Sequence, residues 1–247
     1  MNVWQRVSLC GILFGAAAMA AEPVTKPKRT GDMVVGTTKV NKVLFLGNSI
    51  TKHGPNESIG WSGNWGMAAS SEANDYVHLV LAALAERCGR APEARIVNIA
   101  SFERQFRTYD IETRLADTIA FKPDLVIVAI GENVPALKSQ EDHVAFKDSL
   151  SRLLNAFRSV GNPVFVVRSC FWASPVKDTI LRQGCDGVGG IFADCTALGK
   201  DEKNYARSER EFSHKGVAAH PGDQGMRAIA DVILQALETG RAGGNRK

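Results

Sequence analysis

Five short apolar runs, at residues 43–46, 95–99, 125–130, 164–167 and, more weakly, 190–193, alternate with stretches of helical periodicity at 76–87, 108–120, 142–159, 176–183 and 221–237. Strands that alternate with helices imply parallel neighbours, because a parallel pair needs a crossover and the crossover is normally a right-handed helix. The expected class is therefore α/β, a three-layer α/β/α sandwich with a central, mostly parallel sheet of about five strands. In such sheets ligands bind beyond the carboxyl ends of the strands. Those ends carry Gly47-Asn48-Ser49, residues 98–103 and Gly131-Glu132-Asn133.

The remaining segments bound the domain. Arg6, an apolar stretch over 7–18 and the small residues of Ala18-Met19-Ala20 read as a cleavable export signal over 1–21. The stretch is shorter than the roughly 20 apolar residues a spanning helix needs, so no stable membrane insertion of the mature chain is expected. Residues 22–40, with prolines and lysines and no apolar periodicity, read as a solvated linker. The folded domain is expected over 41–240, with a disordered tail at 241–247. The net charge of +4 lies in no basic block, which gives no reason to expect nucleic acid as a partner. Beyond the signal stand Cys88, Cys170, Cys185 and Cys195. Cys170 and Cys185 flank one predicted helix and are the favoured disulfide pair, against the alternative of four buried thiols. No cysteine spacing resembles a zinc site, and no metal or organic cofactor is expected.

A serine directly after a buried strand can turn its hydroxyl to solvent at the sheet rim, and Ser49 has that placement. A serine hydroxyl is a weak nucleophile until a positioned base takes its proton. His220 is the candidate base, because Pro221 after it favours the first position of the last helix and so fixes the ring near the sheet edge. His53 stands second to it, and His78 reads as a packing residue. The long connection over 51–73 carries Trp61 and Trp65, which serve either as flat faces for a sugar ring or as an aromatic anchor for the loop. Phe171 and Trp172 are candidate walls of the site, and Arg104 and Arg168 candidate binders of an acidic substituent.

Taken in order, Gly47-Asn48-Ser49-Ile50-Thr51, Asn98, Gly131-Glu132-Asn133 and His220-Pro221 resemble the sequence blocks of SGNH/GDSL hydrolases across roughly the whole mature domain. The resemblance implies the flavodoxin-like SGNH fold, with Ser49 as nucleophile, His220 as proton shuttle and the Asn133 side-chain amide as oxyanion donor. It also implies a backbone donor at a glycine position that falls on Glu103. Glu103 is therefore a candidate donor through its N–H, with projection into the pocket or pairing with Arg104 or Arg107 as the other readings. Asn48 stands where that family commonly has aspartate.

A further departure lies at Val217, where the family usually has the aspartate that supports the histidine. In chymotrypsin-type triads, spoiling the acid's role costs roughly 10⁴ in rate. Either Glu209 or Glu211 reaches the imidazole from elsewhere, or a backbone carbonyl accepts its N–H and a Ser–His dyad operates. Asp223 reads as an N-terminal capping residue of the last helix.

Together these readings predict a periplasmic or secreted serine esterase, foremost a carbohydrate O-acetylesterase or short-acyl esterase, with a small-molecule or polysaccharide ester as substrate. The alternatives are a lipase, lysophospholipase or thioesterase of the same superfamily, which needs a deep apolar channel, and a saccharide-binding protein without catalysis.

Overall fold

The computed structural model describes Met1 and residues 31–240. Apart from Met1, the stretch read as an export signal lies outside the described residues, as do the first part of the expected linker and the expected tail at 241–247. Along the chain come β1 (Val34–Val35), β2 (Thr38–Lys39), β3 (Lys42–Gly47), α1 (Tyr76–Cys88), β4 (Glu93–Asn98), α2 (Ala100–Arg104), α3 (Ile111–Arg114), α4 (Ala116–Ala120) and β5 (Leu125–Ala129). They continue with α5 (Gln140–Arg158), β6 (Val164–Arg168), α6 (Pro175–Gly187), β7 (Ile191–Ala193), α7 (Lys215–Ala218) and α8 (Asp223–Thr239). No helix among the described residues is long and apolar enough to cross a membrane.

The main sheet has five parallel strands in the order β4-β3-β5-β6-β7. That is the flavodoxin-like order, and it puts the switch point where the chain leaves β3 for β4 on one side and returns to β5 on the other. Side chains alternate across the sheet, as the two-residue period of a strand requires. Phe45, Ile127 and Val166 face one way, into a core shared with Tyr76, Val80, Ile229 and Ile233 of α1 and α8. Leu44, Leu46, Val126, Val128 and Val167 face the other way, against Phe146, Leu150, Leu154 and Leu181 of α5 and α6. Covering both faces is what makes the strand sequences nearly uniformly apolar.

Three expectations change. The segment read as linker folds at its end into the β1–β2 hairpin, and Met33, Val35, Thr38 and Val40 are buried against the core. Those four apolar or β-branched residues are too few to give a periodicity, so only packing reveals them. The helical pattern over 108–120 is broken into α3 and α4 by the turn at Leu115. Cys170 and Cys185 are not joined: all four described cysteines are free thiols, and both sulfurs sit in the apolar layer under α5 and α6. Burial pushes the thiols of Cys170, Cys185 and Cys195 up, away from the thiolate form.

Candidate active site

Beyond β3 the chain turns at once. The Asn48 carbonyl accepts the N–H groups of Thr51 and Lys52, both at 3.0 Å, and its Oδ1 accepts from Ile50 at 3.1 Å. A Cβ on Gly47 would collide with the Thr51 side chain, so the turn closes against the sheet only with glycine there. This folding lifts Ser49 to the rim, and the Ser49 carbonyl accepts from Met67 N at 2.8 Å, which ties the long loop to the turn that carries Ser49.

His220 arrives from 171 residues away in sequence and sets Nε2 2.8 Å from Ser49 Oγ. Its Nδ1 lies 2.7 Å from the Gly216 carbonyl oxygen. A carbonyl can only accept, so Nδ1 carries the proton and Nε2 offers its lone pair to the serine hydroxyl. Of the two arrangements left open by the sequence, the backbone carbonyl is the one found. Burial holds the imidazole below the ordinary histidine range, with the Gly216 carbonyl and Glu132 pulling the other way. Trp172 meets the His220 ring edge to face, with centroids 5.4 Å apart.

Glu209 is engaged elsewhere. Its two oxygens accept the N–H groups of Asp223 and Gln224, each at 2.8 Å, and so satisfy the start of α8. Asp223 itself does not cap: it receives the Ser70 N–H at 2.7 Å and the Ser70 hydroxyl at 2.5 Å. Pro221 is not the first helical residue either, since Gly222 precedes α8 and Pro221 bridges to Tyr205. Val217, 2% exposed, packs with Trp61, Met67, Ala68 and Ala206.

The third strand end supplies the amide. Gly131 has φ +125, a conformation an L side chain rarely adopts, and a Cβ there would also strike Cys170. The bend it makes turns the N–H groups of Gly131 and Asn133 toward Glu103, at 2.6 and 3.1 Å from Oε1. Glu103 Oε2 accepts from Asn133 Nδ2 at 2.9 Å. Glu103 is fully buried, so it neither projects into the cleft nor pairs with Arg104 or Arg107 at the surface. Its own N–H is directed to the Ile99 carbonyl within α2 at 3.3 Å, because the chain becomes helical right after β4. The reading of Glu103 as a backbone oxyanion donor does not match that direction.

Below the rim a polar chain continues. Asn48 Nδ2 reaches Glu103 Oε1 at 3.2 Å and Glu132 Oε2 at 2.7 Å. Glu132 Oε1 accepts from Arg168 Nη1 at 2.7 Å and from Phe171 N at 2.9 Å. Burial alone would raise the Glu132 carboxyl, but Arg168 and these donors outweigh it and hold it below the usual range. Burial and the nearby Glu132 push Glu103 up. Arg168, with no exposed surface, is therefore part of the support of the site and not a binder of substrate. Sequence reasoning sees Glu132 only as part of a block and misses this role. An arginine closing the apolar run of β6 is the available signal.

Ser49, Asn98, Ala100, Asn133 and His220 line one cleft of about 290 Å³, with His53, Arg104 and His214 around it. Trp61 and Trp65 do not line it. They stack edge to face on each other at 5.7 Å, and their indole N–H groups donate to the carbonyls of His53 and Ala69 at 3.0 Å. They anchor the loop, whose limbs pair at His53–Trp65 and Asn56–Trp61. Phe171 belongs to the core. His78 is not a plain packing residue: its Nδ1 meets Asp75 at 2.8 Å, which raises its pKa. Among the described residues no group of three or more histidine, cysteine, aspartate or glutamate side chains could hold a metal ion.

No protein-family profile matches the chain, and no curated protein sequence matches it. Solved structures do. A two-domain esterase active on acetylated mannans, crystallised with mannopentaose, aligns with TM-score 0.55 at 14% identity over 83% of this chain. The alignment takes in 51% of that protein, so the chain spans about half its length. A carbohydrate esterase described as having divergent catalytic and non-catalytic binding functions aligns with TM-score 0.50 at 10% identity, over 81% of this chain and 69% of its own. At such identities the likeness is one of architecture, and the chain has the fold of these carbohydrate esterases.

Proposed function

We propose that this chain is an exported serine esterase of the SGNH type that removes acetyl or other short acyl groups from carbohydrates. The observation that carries the reading is the contact between Ser49 Oγ and His220 Nε2 at 2.8 Å, with the tautomer fixed by the Gly216 carbonyl. In this reading His220 takes the Ser49 proton as Oγ attacks the ester carbonyl. The oxyanion receives the Asn133 amide hydrogen that Glu103 does not use, together with the Ser49 N–H. His220 then returns the proton to the leaving sugar oxygen, and water, deprotonated by the same nitrogen, releases the acid from the acyl-enzyme. An oxyanion donor of this kind is worth about 2.7–4 kcal/mol where it has been measured in a protease.

The cleft size supports a short acyl group, since about 290 Å³ falls at the lower end of ligand sites, roughly 300–1,000 Å³. A lipase or thioesterase would want more apolar length. Carbohydrate as the alcohol part is a fold-level analogy with the mannan-active esterase, joined to the export signal read from residues 1–21. The intact Ser–His contact speaks against a purely binding role. Purified protein should hydrolyse 4-nitrophenyl acetate and release acetate from acetylated glycans, and Ser49→Ala should abolish both. Equal rates for the two proteins would remove the esterase assignment.

A further inference from the structure

We propose that Glu103 is the positioning residue for the oxyanion donor Asn133, fixing which way its amide faces. The inference rests on the esterase reading and extends it to a residue with no direct reach to substrate. Four donors converge on this one buried carboxylate: Gly131 N, Asn133 N, Asn133 Nδ2 and Asn48 Nδ2, at 2.6, 3.1, 2.9 and 3.2 Å. Two of the four come from Asn133, one from its backbone and one from its side chain. The carboxylate thus clamps the residue across both ends of its χ angles and holds the amide plane.

An asparagine amide has two chemically opposite ends of nearly equal shape. Only one orientation serves an oxyanion, the one that turns N–H toward it. The four N–H donors on its two oxygens favour the ionised form of Glu103 against burial and Glu132, and an ionised carboxylate is acceptor-only, so it attracts Nδ2 and repels Oδ1. With Glu103 in place, a flipped Asn133 would set two oxygens against each other within a buried site, where unrelieved repulsion is costly. One amide hydrogen is spent on Glu103, and on this proposal the other serves the cleft that Asn133 lines.

The charge itself works against the reaction. An anion beneath the oxyanion hole disfavours a second negative charge nearby, and among the described residues no cation pairs with Glu103, since Arg168 is bound to Glu132, which Asn48 links to Glu103. What Glu103 contributes is orientation, and this opposition of charge and orientation fixes the sign of the test. Glu103→Gln keeps the volume and removes the charge; with its oxygen held by the three donors on the Oε1 side, it presents NH₂ to the Asn133 side chain and so favours the flipped amide.

The experiment measures kcat and KM on 4-nitrophenyl acetate for Glu103→Gln, Asn133→Ala and the double variant, with thermal melting to establish folding. Glu103→Gln is expected to lower kcat by about 10²-fold, the scale of losing one oxyanion donor, with KM changed by less than about twofold. Because Glu103 acts through Asn133, the double variant should be no slower than Asn133→Ala alone. Unchanged or raised kcat in folded Glu103→Gln, or losses that multiply in the double variant, would overturn the proposal. If Glu103→Gln does not fold, Glu103→Asp retains the anion but draws it back by one methylene. It should lower kcat likewise, and full kcat there would overturn the proposal. Ser49→Ala in the same assay tests the underlying esterase reading separately.

Discussion

The His220 ring takes its orientation from Gly216, whose carbonyl oxygen lies 2.7 Å from Nδ1 four residues earlier in the chain. A neutral acceptor in place of a carboxylate fixes the tautomer but adds no charge to stabilise the imidazolium that forms during attack. The side chain at 217, where an aspartate would supply that charge, packs with Trp61, Met67, Ala68 and Ala206 in the wall of the cleft.

Val217→Asp should therefore not create a better triad. The new carboxylate would enter an apolar cluster, and Nδ1 already has its partner. Burying an unpaired polar or charged group costs about 1–3 kcal/mol or more. The expected result is a lower melting temperature with no gain in kcat on 4-nitrophenyl acetate. A folded variant with raised kcat would mean that the ring can turn from Gly216 to the new acid.

The pH profile follows from the environment of the same ring. A general base works when neutral, and burial holds His220 below the ordinary histidine pKa, which is about 6.5. The nearby His53 and His214 push in the same direction, against Glu132 and the Gly216 carbonyl. Activity should accordingly persist below pH 6.5 and fall as the pH drops through the depressed pKa. The acid limb of kcat/KM reports that value for the free enzyme, and a midpoint above about 6.5 would show that the hydrogen bond and the carboxylate outweigh burial.

Much of this arrangement is legible in the amino-acid sequence. Strand runs such as 125–130 could hardly be anything but buried strands, and the switch point then placed Ser49 and Asn133 at one edge. The polar support was legible only as an arginine closing the apolar run of β6, because Glu103, Glu132 and Arg168 meet across three different strand ends and the sequence does not say which of them pair. Trp61 and Trp65 stayed open between two roles for another reason. An aromatic pair beside a nucleophile has the same composition whether it faces a substrate or its own loop, and only the indole hydrogen bonds to His53 and Ala69 tell the two apart.

Trp61→Ala tests that distinction. Trp61 is 8% exposed, does not itself line the cleft, and packs behind Met67 and Val217, which do, so its loss should act through stability. Truncating a buried aromatic costs about 3–5 kcal/mol. KM for an acetylated sugar and for 4-nitrophenyl acetate should change by similar factors, alongside a clear drop in melting temperature. A selective rise for the sugar would put the indole back in the substrate site.

Asn48 and Glu103 form a matched pair. The Asn48 amide donates to two carboxylates at once, Glu103 at 3.2 Å and Glu132 at 2.7 Å. An aspartate at 48, common in the resembling family, would set a third carboxylate against these two. Asn48→Asp should destabilise by about 3–5 kcal/mol, the scale of an uncompensated buried charge, and the melting temperature of the folded protein reads it. Adding Glu103→Gln should recover part of the loss, since a glutamine amide can donate to the new aspartate. Independent, additive losses would show that the two positions are not linked.

Arg104 bears on which esters the cleft accepts. It lines the cleft, which has histidines but no carboxylate among its lining residues. Its neighbour Arg107 is held by Asp142 at 2.6 Å, whereas no acidic group among the described residues bridges to Arg104, which is exposed. An unneutralised guanidinium beside a nucleophile favours an ester whose alcohol carries an anionic group, because a carboxylate can take both of its parallel N–H bonds. Arg104→Gln should raise KM several-fold for an acetylated uronic acid and leave KM for a neutral acetylated sugar nearly unchanged, with the difference shrinking as salt is added, since the contact lies at an exposed rim. Equal changes on the two substrates, or an effect indifferent to ionic strength, would mean that Arg104 shapes the rim without reading charge.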